Sequence, residues 1–155
     1  ATEEFNTGVA VGAWSTGGSV NTARRFGAGT GTKTAALFVA GSPGPSVALT
    51  ESYNGSTWTE VNDITTARNY ASASGTQTAG LLFGGRNDPT PGAALTETWN
   101  GTNWTEVNDL NTARAALGGC GINTAALAFG GEVSPNTTAT EEWNAGNLPV
   151  TFDVS

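Results

Sequence analysis

The sequence predicts an all-β protein assembled from one four-stranded antiparallel unit used several times over. Three observations lead there. Residues 96–114 (TETWNGTNWTEVNDLNTAR) restate residues 50–68 (TESYNGSTWTEVNDITTAR), with 13 of 19 positions identical. Such a fixed internal period marks an array of one small structural unit. Thr, Asn, Ser and Gly are abundant while charged residues make up only 12%, a composition that suits short strands and tight turns and is poor for helices. Finally, no apolar spacing of 3.6 residues is sustained anywhere in the chain.

Arg24, Arg68 and Arg114 mark the unit starts, 44 and 46 residues apart. They divide a single repeat domain of 155 residues into units at 24–67, 68–113 and 114–155, preceded by half a unit at 1–23. In that half, TEEFN at 2–6 is a displaced copy of 50–54. Trp14 matches Trp58, each ten residues before an Arg.

Within a unit four strands are expected. The first, rich in Gly, Ala and Ser, covers 26–29, 70–74 and 116–120. The second is apolar throughout, at 35–40, 79–84 and 125–130, and reads as a strand buried on both faces. The third covers 50–53, 96–99 and 140–143. The fourth covers 57–61 and 103–107, and also 148–154, where Leu148, Val150, Phe152 and Val154 alternate with period two. Asn54-Gly55 and Asn100-Gly101 join the third and fourth strands and suit a type I′ turn. Antiparallel units of about 45 residues are the blades of a β-propeller. In that fold small residues such as Gly27, Ala28, Gly29, Ala71, Ala73, Gly118 and Gly119 let the innermost strands converge. The Trp residues then fill the wider space between blades.

The order Arg, apolar strand, Gly-Gly, Glu-x-aromatic, Trp resembles the kelch repeat over nearly the whole chain. The diglycine is Gly84-Gly85 and Gly130-Gly131, with Ala40-Gly41 in the first unit. The aromatic pair is Tyr53/Trp58 and Trp99/Trp104, and Trp143 stands alone in the third unit, where Leu148 replaces the second aromatic. The wording NTAR, TAALAFGG and TEEWN looks most like the kelch-like repeats of structural proteins in marine tailed phages. That resemblance implies a virion or extracellular location.

The repeated charges have two readings. Arg24, Arg68 and Arg114 recur with Glu51, Glu97 and Glu141, and could ring a ligand. Recurrence once per unit instead favours structural pairing of each Arg with a Glu or with loop carbonyls. The same holds for Trp58, Trp104 and Trp143 as core residues rather than stacking platforms. Asn62-Asp63 and Asn108-Asp109 lack the clustered carboxylates of a calcium loop and read as turn formers. Cys120, among glycines on an innermost strand, reads as a small buried hydrophobe, and as the one cysteine it cannot form an internal disulfide.

The chain has no His. Ser-His and Cys-His nucleophile pairs and most transition-metal sites are therefore absent, as is a copper site like that of the kelch-containing galactose oxidases. Paired-carboxylate hydrolysis needs only two acids, but no non-repeated pair stands out, so the expectation is a non-enzyme without cofactor or metal. The net charge of −7 disfavours nucleic acid and anionic membranes. No apolar run approaches the roughly 20 residues of a membrane span.

Variation between units falls in the connection from second to third strand, at 42–48, 86–94 and 132–138. Here Arg86, Asn87, Asp88, Glu132 and Asn136 are candidate binding residues, since loops on a rigid scaffold carry specificity. Unconstrained drift explains the variation equally well. The leading functional expectation is a structural and binding module of a virion or extracellular appendage, its partners other virion proteins or a cell-surface glycan. The alternative is a lectin-type propeller. Three blades cannot close a ring, so the chain is expected to form a homo-oligomer through blade edges or exchanged terminal strands.

Overall fold

A computed structural model describes residues 13–133 and 135–146. Among these residues every regular element is a strand and none is a helix, so no helix is long and apolar enough to cross a membrane. The first sheet holds β1 (Ala28–Thr32), β2 (Ala35–Val39), β3 (Thr50–Tyr53) and β4 (Trp58–Val61). The second holds β5 (Ser72–Gly75), β6 (Gly80–Phe83), β7 (Thr96–Trp99) and β8 (Trp104–Glu106). The third holds β9 (Gly118–Ile122), β10 (Ala125–Phe129) and β11 (Thr140–Asn144). Each sheet is antiparallel with its strands in chain order. The expected fourth strand at 148–154 and the copied segment at 2–6 lie outside the described residues.

The first strands start two residues later than the sequence suggests. Phe26, Tyr70 and Ala116 have φ of 59°, 54° and 52°, a left-handed conformation that no strand can contain. The second strands end where Ala40, Gly84 and Gly130 turn to φ of 61°, 66° and 63°. The Asn-Gly connections are not type I′ turns. Only Gly55 and Gly101 take positive φ there, and four residues separate Tyr53 from its partner Trp58. Asn54 instead accepts the N–H groups of Ser56 (3.0 Å) and Thr57 (2.9 Å) on its Oδ1, and Asn100 repeats this with Thr102 and Asn103. The side chain thereby replaces the missing turn bonds.

The sheets stack through their first strands, β1 beside β5 and β5 beside β9. Small residues make the approach possible: a Cβ on Gly119 would lie 2.4 Å from the Phe83 ring of the sheet before it. Two cores result. Leu37, Val39 and Ile64 pack with Leu82, Trp99 and Trp104 between the first and second sheets. Leu81 and Phe83 pack with Leu117, Ala126 and Ala128 between the second and third.

The expectation that every second strand is buried on both faces holds only for β6, whose four residues are all buried. In β10, Ala126 and Ala128 are buried but Leu127 and Phe129 are 37% and 44% exposed. Cys120 is likewise exposed, not buried. Both corrections have one cause: no further sheet covers the far face of the third one among the described residues.

Candidate functional site

The three repeated ion pairs lie inside the sheets. Arg68 Nη1 is 2.6 Å from Glu97 Oε1, with both side chains almost fully buried. Arg24 pairs with Glu51, and Arg114 Nη2 lies 3.0 Å from Glu141 Oε1. Each Glu also accepts backbone N–H groups from the segment that leads into its unit: Asn21 for Glu51, Thr65 for Glu97 and Asn111 for Glu141. Burial alone would raise the Glu51 carboxyl. The N–H of Asn21, the Arg24 guanidinium and the N–H of Thr22 outweigh it and hold the carboxyl below the ordinary carboxylate range. Arg24 further donates to the carbonyls of Ala40 (2.8 Å) and Phe38 (3.0 Å). These guanidinium groups face backbone carbonyls and carboxylates, not solvent, although Arg68 Nε and Nη2 and Arg114 Nε have no hydrogen-bond partner among the described residues.

The tryptophans divide by position. Trp104 is 7% exposed and its Nε1 donates across the sheet junction to Thr50 Oγ1 at 3.1 Å. Trp143 is half-buried beside the second core and donates to Asn123 O. Trp58 does not pack between two described sheets. It is half-buried on the outer face of the first sheet, against Tyr53 and Phe38, because no described sheet precedes it. Trp14, its counterpart in the N-terminal half unit, is fully exposed.

Asp63 and Asp109 each accept the N–H that opens the third strand of their sheet, Thr50 and Thr96, at 3.0 Å. They therefore cap strands rather than shape local turns. Among the described residues no group of three His, Cys, Asp or Glu side chains is arranged to hold a metal.

The variable loops share one end of the stack. Arg86 is tied by paired backbone bonds to Asn69, and Glu132 likewise to Ala115. Ser46 Oγ donates to Asp88 Oδ2 at 2.7 Å, joining the loops of the first and second sheets. Asn87 bridges to Thr90 across its own loop, and Asn136 bridges back to Glu132. Glu132 and Val133 line a depression with Pro91 and Gly92 of the preceding loop. The loops thus bring Asp88 beside Ser46, and Glu132 beside Pro91 and Gly92 of the 86–94 loop.

The same end carries a pair that the sequence reading overlooked. The Phe26 and Tyr70 rings stack with centroids 4.1 Å apart and planes 21° off parallel. The Arg25 guanidinium lies 5.0 Å from the Phe26 centroid. Phe26 is 41% exposed. A bulky residue at positive φ costs about 1–3 kcal/mol, and backbone bonds between sheets hold this one: Tyr70 N–H donates to Phe26 O and Ala116 N–H to Tyr70 O, both at 2.9 Å. The signal was legible as an aromatic at a fixed two-residue offset from the repeated Arg, in a strand otherwise made of Gly, Ala and Ser.

No protein-family model matches the chain, and no curated protein matches it significantly.

Proposed function

We propose that the three sheets are β-propeller blades of the kelch type, and that the chain is a non-enzymatic structural and binding module of a phage virion or extracellular appendage. The observation that supports this most is how the repeated chemistry is used. Each Arg–Glu pair ties a unit together, and the backbone bonds of Phe26, Tyr70 and Ala116 tie one unit to the next. Residues used in this way build a stack and are not free for turnover. Partners are further copies of the chain, other virion proteins, or a surface glycan met by the loop end with Arg86, Asn87, Asp88, Glu132 and Asn136.

A lectin-type function is the second reading, favoured by the Phe26–Tyr70 stack beside the variable loops, in which Phe26 is exposed and Tyr70 half-buried. Aromatic faces bordered by polar loops suit a sugar ring. One experiment separates the two. A glycan array is probed with the full chain and with Tyr70→Ala, while antibody against the chain is applied to purified particles and appendages. Decoration of particles without saturable glycan binding is expected. Saturable binding lost in Tyr70→Ala moves the assignment to the lectin, and turnover of any glycan overturns the non-enzymatic reading.

A further inference from the structure

The outer faces of the first and third sheets are the two halves of a junction that the chain already makes twice internally. At each internal junction the same repeat positions meet. Leu37 of β2 lies 3.6 Å from a Cβ built on Gly80 of β6, and Leu81 shares a core with Ala126 of β10. Phe83 covers Gly119. Gly41 N–H donates to Arg68 O and Gly85 N–H to Arg114 O, both at 2.9 Å. Gln77 of the second sheet reaches back to Ser52 Oγ (2.9 Å) and to Tyr53 O of the first.

Stepping each position forward by one unit gives a third junction that lacks a partner among the described residues. The third sheet then offers Leu127, Phe129, Glu142, the Gly131 N–H and the Ala116 carbonyl. The first sheet offers Ala36, Gly29, Lys33, the Arg24 carbonyl and the Phe26 N–H. We infer that this junction forms between two copies of the chain, the third sheet of one against the first sheet of the other, with Phe129 seated on Gly29 and Glu142 paired with Lys33. The inference rests on the repeated-blade reading above.

Three independent features support a second copy as the occupant. The first is volume. A Cβ on Gly29 would meet only Leu37 O, at 3.9 Å, so this glycine leaves open space where a large ring needs it, as Gly119 does for Phe83. Gly29 has no left-handed φ, so its own backbone does not require glycine. The second is charge. Where the internal junction pairs neutral Gln77 with Ser52, the outer faces carry Lys33, the one lysine of the chain, and Glu142. Both are exposed. The third is polarity. Trp104 bonds Thr50 across the first internal junction, and the corresponding Trp58 and Thr140 stand half-buried and exposed on the two outer faces. A junction between unlike faces is heterologous. It yields a ring if the rotation closes and a filament if it does not, and either product contains the same contacts.

The test is sedimentation of the full 155-residue chain over a concentration series, with Cys120 alkylation as a second reading because that exposed thiol faces the junction. Wild type is expected to associate and to lose Cys120 reactivity as it does so. Glu142→Lys and Lys33→Glu should each weaken association by roughly tenfold or more, since like charges then oppose. The double exchange should restore it to within a few-fold. Gly29→Leu should abolish association with an unchanged circular-dichroism spectrum and, at concentrations where wild type is monomeric, an unchanged melting temperature. A chain monomeric at all concentrations overturns the junction, and so does association indifferent to these substitutions. Neither outcome touches the particle and glycan readings, which test the proposed function separately.

Discussion

The middle sheet and the two outer sheets are written in nearly the same residues, yet they live in different environments. Leu81 is 1% exposed and its counterpart Leu127 is 37% exposed. Trp104 is buried, and its counterpart Trp58 is only partly buried. The sequence of an outer sheet is therefore one that expects a neighbour. A repeat encodes both faces of every junction, and an array of finite length must leave one of each exposed unless it closes or is capped. A few exposed apolar residues are ordinary on a protein surface. Exposed residues whose repeats form a core are more informative.

The largest consequence of the comparison is at tryptophan. Trp104→Ala should destabilise the chain by about 3–5 kcal/mol, the range for a large buried aromatic, and it also strips Thr50 Oγ1 of its donor. Trp58→Ala should cost less in dilute solution, because part of its surface is already wet. Equal denaturant midpoints for the two variants would remove the distinction between middle and outer sheets.

Leucine gives a smaller contrast on the other flank. Leu81→Ala should cost about 2–5 kcal/mol. Leu127→Ala should cost about 1 kcal/mol or less under conditions where the chain is monomeric, in line with surface substitutions. If copies associate through the outer faces, the cost of Leu127→Ala should grow with protein concentration while that of Leu81→Ala should not, since binding to the folded state adds stability by mass action. Chemical denaturation at two protein concentrations reads this directly.

Much of the fold was legible because the period is explicit. The repeated Arg fixed the unit boundaries, and the third strands fall where the Thr-Glu-x-aromatic pattern puts them. What escaped was governed by coverage and by backbone geometry. The apolar run of β10 looks like that of β6, and only the presence of a further sheet distinguishes them. The lack of a covering sheet among the described residues likewise exposes Cys120, which a Gly-rich innermost strand suggested was buried. Phe26 and Tyr70 look like strand residues by composition, but the bonds that run from sheet to sheet hold them in the left-handed region. The Asn-Gly pairs fit a two-residue turn by type, while the Asn side chain bonded forward and opened it to four residues. Of the candidate site, the loops were legible as places of variation. The aromatic stack between them required two units to be set side by side.

The smallest expected effect concerns acid. Glu51 anchors the outer, first sheet, where its carboxylate accepts from Asn21, Thr22 and Arg24. These donors hold its folded pKa below the ordinary carboxylate value of about 4.3. The unfolded chain therefore takes up the proton first as pH falls. The contribution to stability is complete above the ordinary value, declines as pH drops through it toward the depressed folded value, and is gone below that. Glu51→Gln removes the titrating group while keeping its shape. The variant should be less stable than wild type near neutral pH, and the gap should close on acidification as wild-type Glu51 is neutralised. Urea midpoints measured from about pH 7 down to about pH 3 follow the gap. A gap that stays constant with pH would mean that the Arg24–Glu51 pair contributes by packing and not by charge.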